Sequence, residues 1–200
     1  MSHEYAPHGF IGLFTPQANT CVEAECAILL PPGIGSLASR LISARATIEE
    51  RLVDYIDTLE SKALEFANVP LRALGFACTG PSYLAGRDRE DDLLARLSDQ
   101  LNCHVTSSAV AVVDALRALG AERIALVSPY SDALTQSSIA YWNSRGFSVG
   151  PGTHHARHLA KREQEVDIHG TAHRKPCLYP CLVSISNRYD KLAYEFHTAG

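Results

Sequence analysis

The first chemistry that the sequence suggests is that of an activated thiol at Cys78. This residue follows the apolar segment 71–77 and opens a loop of small residues that runs to Ser82. A sulfur in such a loop can approach backbone N–H groups and the start of a helix, and both lower the pKa of a thiol. The thiolate could then act as a base or a nucleophile, while the N–H groups of Thr79 and Gly80 hold a carboxylate or an enolate, helped by the hydroxyls of Thr79 and Ser82. The alternative is a cysteine that simply packs in the core.

The segments around Cys78 alternate between strand and helix patterns over the first 150 residues. Apolar runs predict strands and apolar residues at helical spacing predict helices, the clearest of which follows the capping box of Thr47 and Glu50. The predicted strands are 9–15, 34–41, 71–77 and 122–128, and the predicted helices are 48–63, 91–101, a segment that Ser107 or Ser108 caps and Gly120 ends, and 132–145. This order is typical of an α/β fold with a largely parallel sheet, in which ligands bind beyond the carboxyl ends of the strands. Those ends lead into residues 15–20, 78–82, 106–108 and 128–130.

The chain changes character after Gly150. Residues 151–200 hold six of the nine histidines and only nine Leu, Ile, Val or Phe residues, which is too few for a normal packed layer. We therefore divide the chain into a first α/β lobe at 1–100, the start of a second α/β lobe at 101–150 and a divergent, irregular tail at 151–200.

Four residues of this tail, spaced by four, raise the alternative of a zinc site. They are His169, His173, Cys177 and Cys181, and imidazole and thiolate ligands suit zinc. The spacing would align them on a helix, but Pro176 and Pro180 interrupt any continuous helix there. We therefore predict no metal site.

Charge and hydropathy exclude several classes of function. The formal net charge of −4 offers no basic surface for a phosphate backbone, so we expect no nucleic-acid partner. The apolar segments fall far short of the roughly 20 residues that a membrane-spanning helix needs. The N-terminal residues lack the positive region of a signal peptide, which predicts a cytoplasmic protein whose six cysteines are thiols. The charged run from Asp88 to Asp92 is interpreted as a solvated turn and helix start.

Several short segments, taken in their order along the chain, resemble a known family. They are Gly12-Leu13-Phe14-Thr15-Pro16, Pro31-Pro32-Gly33, Cys78-Thr79-Gly80-Pro81-Ser82, Thr106-Ser107-Ser108 and Val127-Ser128-Pro129-Tyr130. Together they resemble the aspartate/glutamate racemase superfamily, and most of all its branch of maleate cis-trans isomerase and arylmalonate decarboxylase. The resemblance covers about residues 9–149.

This resemblance implies two Rossmann-like α/β lobes, no metal or organic cofactor, and a small carboxylate substrate in the cleft between the lobes. By this resemblance, Asn19 and Tyr130 would hydrogen-bond a substrate carboxylate. Thr79, Gly80 and Ser107 would help to form the anion pocket. Each also has a structural alternative. Asn19 and Ser107 could cap the helices that follow them, and Tyr130 could be a packed loop aromatic.

The family also carries a second cysteine, in another strand-end loop about one lobe after the first. Cys177 and Cys181 have neither an apolar strand before them nor a small-residue loop after them, so we expect an incomplete second lobe. Because decarboxylases of this family lack the first cysteine, Cys78 favours a cofactor-independent isomerase or racemase with Cys78 as nucleophile or base. The alternatives are an inactive carboxylate-binding remnant and an arylmalonate decarboxylase-like enzyme. The oligomeric state stays open, with a homodimer among the alternatives.

Overall fold

The computed structural model describes residues 5–128 and 130–150 with their side chains, and the backbone of 154–155 and 182–185. Four parallel strands form a first sheet in the order β2-β1-β3-β4: β1 (Gly9–Pro16), β2 (Ile34–Leu41), β3 (Leu71–Phe76) and β4 (His104–Ser107). The first three confirm predicted strands. The fourth lies beyond residue 100, where we placed the end of the first lobe, yet it pairs with β3.

Helices connect these strands, as the alternating pattern predicts. They are α1 (Val22–Leu29), α2 (Ile48–Asp57), α3 (Leu59–Ala63), α4 (Gly80–Ala85), α5 (Arg87–Leu101), α6 (Ser108–Ala118) and α7 (Asp132–Ser144). A 3-10 turn, Leu64–Phe66, follows α3. The architecture is therefore the predicted α/β fold.

The helix that we predicted over 48–63 is divided at Thr58. Its start is as predicted, because Thr47 and Glu50 form a complete capping box. The hydroxyl of Thr58 donates to the main-chain carbonyl of Asp54 at 2.8 Å and to that of Tyr55 at 3.3 Å. Such bonds back to the preceding turn bend helices, and a new helix begins at the next residue.

A second sheet is built on β5 (Arg123–Ser128), which confirms the predicted strand. It pairs in parallel with β6 (Ser148–Val149) and β7 (His154–His155), and antiparallel with β8 (Leu182–Ile185). The last two strands are the only parts of 151–200 that the structure describes. The remainder of the tail, including the four His and Cys residues weighed as zinc ligands, lies outside the described residues.

One continuous core spans the layers. It joins Phe14 and Leu74 of the first sheet to Leu126 of the second and to Trp142 of α7, all fully buried. No helix in the described part of the chain is long and apolar enough to cross a membrane.

Candidate active site

The carboxyl ends of β1, β3 and β4 lie side by side and form one edge of the first sheet, across the ends of its strands. Phe14 pairs with Phe76, which in turn pairs with Ser107. The main-chain N–H of Ala77 donates to the carbonyl of Phe14 at 2.9 Å and extends this pairing towards Cys78. Three of the four predicted strand-end segments therefore meet where we expected them.

Cys78 is half-buried at this edge, and its thiol is not part of a disulfide. Its N–H donates to the carbonyl of Phe76 at 3.0 Å, and α4 begins two residues later at Gly80. Thr79 stands at the N-cap of α4 without a side-chain capping bond. Gly80 is buried, and a Cβ there would lie 2.8 Å from Cδ1 of Leu52. A glycine at this position therefore lets the start of α4 pack closely against α2.

Two buried hydroxyls belong to the elements around Cys78. Thr15 precedes the last residue of β1, and Ser82 lies in α4. Neither Thr15 Oγ1 nor Ser82 Oγ has a hydrogen-bond partner among the described residues. Buried polar atoms are normally paired, so unsatisfied ones commonly mark a place for a water, an ion or a functional contact.

Asn19 caps α1 with its side-chain oxygen. Oδ1 accepts from the N–H of Cys21 at 2.9 Å and from that of Val22 at 3.0 Å, so the structural alternative for this residue is confirmed. The same two bonds fix the orientation of the amide, because its oxygen must face the helix. The Nδ2 group has no acceptor among the residues that the structure describes, and its two N–H donors are the kind of group that binds a carboxylate. Capping and carboxylate binding are therefore compatible.

Arg40, which sequence reasoning missed, holds the loop that carries Asn19. From β2, its Nη1 donates to the main-chain carbonyl of Asn19 and, at 3.3 Å, to that of Pro16, while Nη2 pairs with the carboxylate of Glu23. Arg40 lies opposite Thr15 in the sheet register. The sequence signal for this role was the position of Arg40 near the end of the predicted strand 34–41.

Ser107 caps α6, as one of the two predicted candidates. Its Oγ accepts from the N–H of Val110 at 3.0 Å and donates to Oε1 of Glu90 at 2.6 Å. A hydroxyl has one proton, and in Ser107 that proton points to Glu90. The neighbouring Ser108 hydroxyl donates to the carbonyl of Phe76 at 3.1 Å. A role of Ser107 in the anion pocket thus remains a prediction.

Tyr130 follows β5 and packs against the aromatic residues of the core. Its ring meets that of Tyr83 edge-on, with 6.4 Å between centroids. Tyr83 belongs to α4, which follows the Cys78 loop, and also contacts Tyr141 at 5.4 Å and Trp142 at 5.9 Å. This stack connects the end of β5 to the helix that begins beside Cys78.

Glu90 corrects our interpretation of 88–92 as a solvated run. It is 2% exposed, and its Oε2 accepts from Tyr141 Oη at 2.6 Å and from Arg145 Nη2 at 2.7 Å. Burial and the Glu90 charge raise the pKa of Tyr141, so this phenol stays protonated. The pKa of Arg145 is also raised, because hydrogen bonds from the guanidinium to Asp91 and Glu90 outweigh the effect of its burial. The sequence signal was that Glu90 precedes Leu93 and Leu94 by three and four residues, on the buried face of α5.

The other described cysteines lie away from the Cys78 loop, in α1, before α1 and before β4. Cys26 lines an apolar cavity of about 260 Å³ between α1 and the first sheet, and burial, followed by the charges of Glu25 and Glu23, raises its pKa. Burial also raises the pKa of Cys103. Cys21 is disulfide-bonded, so the expectation of six free thiols was wrong for this residue.

Within the described residues, no three His, Cys, Asp or Glu side chains gather as metal ligands.

Maleate isomerases are among the proteins that this chain resembles. The enzyme of Nocardia farcinica is 31% identical over 147 residues, which cover 70% of this chain and 59% of that protein. The enzyme of Geobacillus stearothermophilus is 31% identical over 160 residues, which cover 72% of this chain and 62% of that protein. The chain thus spans about three fifths of the length of these relatives.

A solved structure and a family model agree with this relationship. The structure is a cysteine-to-serine mutant of the Nocardia farcinica maleate cis-trans isomerase with a covalently bound succinylcysteine intermediate. It has a TM-score of 0.62 and 27% identity, over 71% of this chain and 61% of that one. The model of the arylmalonate decarboxylase family matches residues 11–160. Because that match takes in well over half of the chain, including the edge that carries Asn19, Cys78 and Ser107, the protein belongs to the arylmalonate decarboxylase family.

Proposed function

We propose that this chain acts as a cofactor-independent isomerase on a small cis-dicarboxylate such as maleate, with Cys78 as the nucleophile. The observation that carries the proposal is that the Cys78 thiol, which is not part of a disulfide, follows the end of β3 on the same sheet edge as the amide donors of Asn19. Relatives named maleate isomerases support the substrate class. The succinylcysteine in one of their structures is the kind of adduct that a cysteine forms with maleate.

The chemistry needs one nucleophile and no net transfer of electrons or protons. The Cys78 thiolate adds to one alkene carbon of maleate, which forms an S–C bond and moves the π electrons onto the neighbouring carbon and its carboxylate. The former double bond is then single and can rotate. When the electron pair returns, the double bond reforms in the trans geometry and the S–C bond breaks, which restores the thiolate.

The remaining site residues bind and orient the two carboxylates. The Nδ2 donors of Asn19 would hold one carboxylate, and the phenol of Tyr130 would hold a carboxylate from the side of β5. The N–H groups of Thr79 and Gly80 would stabilise negative charge as it develops next to the adduct. Arg40 supports this arrangement by fixing the loop of Asn19.

A second candidate function is carboxylate binding without turnover. It is favoured by the positions of the other described free thiols. Cys103 precedes β4 and so lies towards the amino edge of the sheet, while Cys26 lies in α1.

The deciding experiment measures binding and turnover on the same protein. Maleate and its trans isomer are each tested for protection of Cys78 against iodoacetamide by mass spectrometry, and conversion of maleate is followed by proton NMR, with Cys78→Ser as control. Stronger protection by maleate, together with turnover that Cys78→Ser abolishes, is expected. Protection without turnover would favour the binding function. Absence of both in folded protein would overturn the proposal.

A further inference from the structure

A buried carboxylate lies between the two sides of the proposed site. Each oxygen of Glu90 accepts from a different direction: Oε1 from Ser107 at 2.6 Å, and Oε2 from Tyr141 at 2.6 Å and from Arg145 at 2.7 Å. Ser107 ends β4, Tyr141 lies in α7, and Arg145 follows α7. One side chain of α5 therefore ties the end of the first sheet to the helix that follows β5.

Stability alone does not account for this cluster. The Arg145 side chain is 7% exposed and that of Glu90 is 3% exposed, so both charges have lost most of their water. A buried ion pair often contributes no more to folding than apolar residues of similar volume, because desolvation offsets the attraction. The cluster does fix the orientation of the side chains around it, since Ser107 donates to one oxygen of Glu90 while Tyr141 and Arg145 donate to the other.

The first consequence of this fixed orientation concerns the hydroxyl of Ser107. Its only proton is given to Glu90, so a lone pair faces the N–H of Val110 at 3.0 Å. This fixes the first turn of α6, which begins at the same sheet edge as Cys78.

The second consequence concerns Tyr130. The Tyr141 phenol donates to Glu90, which holds its ring 5.4 Å from that of Tyr83. The Tyr83 ring in turn lies 6.4 Å from that of Tyr130, the predicted carboxylate ligand beyond β5. A displacement of the Tyr141 ring would therefore shift the ring of Tyr83 and, through it, the ring of Tyr130.

We propose that Glu90 is a positioning residue of the carboxylate site, which fixes Ser107 as the acceptor cap of α6 and, through Tyr141, the aromatic stack that carries Tyr130. The inference rests on the proposed function, because the ligand that this arrangement serves is the small carboxylate assigned above. Glu90 itself touches no reacting atom in this assignment.

The test compares Glu90→Gln with Leu59→Ala, a change at a fully buried core residue that shares no hydrogen bond with the cluster. Glu90→Gln keeps the shape of the side chain but removes the charge and one acceptor. We expect maleate to protect Cys78 about tenfold less well in Glu90→Gln, which is the effect expected when a charge-assisted hydrogen bond is lost. Leu59→Ala should keep the original protection. The alkylation rate of Cys78 without maleate should be alike in the folded fractions of both.

Two further measurements keep the outcome decisive. Hydrogen exchange of the Val110 amide should be faster in Glu90→Gln than in Leu59→Ala, because only the former loosens the cap. If Glu90→Gln does not fold, Tyr141→Phe removes one donor without changing charge. It should lower protection only about threefold, because Ser107 and Arg145 still hold the Glu90 carboxylate.

The outcomes separate this inference from the proposed function. Protection that is unchanged or stronger in Glu90→Gln, with Val110 exchange as in the control, overturns the positioning role and leaves the proposed function intact. If maleate fails to protect the unsubstituted protein, the proposed function is overturned. In that case faster exchange at Val110 still supports the positioning of Ser107 by Glu90, and unchanged exchange rejects it.

Discussion

Arg40, on the second strand, donates a hydrogen bond to the main-chain carbonyl of Asn19, in the loop after the first strand. The side chain of Asn19 meanwhile accepts from the N–H groups of Cys21 and Val22 at the start of α1. The proposed carboxylate donor is therefore fixed from two sides, by a neighbouring strand and by the helix that it caps. Residues outside the substrate contact should accordingly influence binding.

Substitution of Arg40 by Lys tests this support. Lysine keeps the charge but lacks the planar fork that reaches two carbonyls and a carboxylate at once, so the loop of Asn19 should loosen. We expect maleate to protect Cys78 about three- to tenfold less well, which corresponds to about one lost hydrogen bond. Arg96→Lys, at an exposed ion pair on α5, is the matched control and should change little. Equal protection in both variants would contradict the role of Arg40.

The reactivity of the thiols should follow their environments. Burial raises the pKa of Cys26 and of Cys103, so at neutral pH both hold less thiolate than an ordinary cysteine and should react slowly with iodoacetamide. Their rates should climb as pH increases towards those raised pKa values. We expect Cys78 to be modified first in folded protein, as mapped by mass spectrometry at several pH values. Faster labelling of Cys26 or Cys103 at neutral pH would count against an activated Cys78.

Replacement of Tyr130 by Phe removes the phenol proposed to bind a carboxylate while keeping the ring that packs on Tyr83. A hydrogen bond to a charged group contributes about 1.5–3 kcal/mol, so protection of Cys78 by maleate should fall roughly tenfold or more. Tyr5→Phe, at a residue that is 88% exposed, serves as the control. A Tyr130→Phe protein that binds maleate normally would leave this residue with a packing role only.

Gly80→Ala should disturb both stability and the Cys78 loop. The added methyl would lie 2.8 Å from Cδ1 of Leu52, and overpacking of this kind costs about 1–3 kcal/mol. Gly75→Ala is the matched control, since its methyl would meet Cδ2 of Leu13 at an ordinary 3.6 Å. Thermal unfolding followed by the fluorescence of Trp142, the single tryptophan, compares the two. If Gly80→Ala unfolds no more readily than Gly75→Ala, the close packing of α4 on α2 is not needed.

Local patterns in the sequence determined most of the elements. Strands such as Ile34–Leu41 and the capping box of Thr47 depend on neighbouring residues only, so their periodicity and capping chemistry were sufficient. The placement of Cys78 also followed, because the carboxyl ends of parallel strands share one edge. The helix break at Thr58 was missed, since a hydroxyl bond to the preceding turn leaves the apolar spacing unchanged.

Tertiary structure alone decided what the polar side chains of the site are bonded to. The sequence places Glu90 in a charged run, yet α5 packs so that its carboxylate meets Ser107, 17 residues away, and Tyr141, 51 residues away. The sequence likewise does not determine which group the Ser107 hydroxyl donates to or which way the Asn19 amide faces. Both depend on the hydrogen-bond partners that the fold brings to them. The physical reason is that burial and hydrogen-bond pairing depend on segments that are distant in the chain, whereas periodicity reports only on the face that a residue occupies.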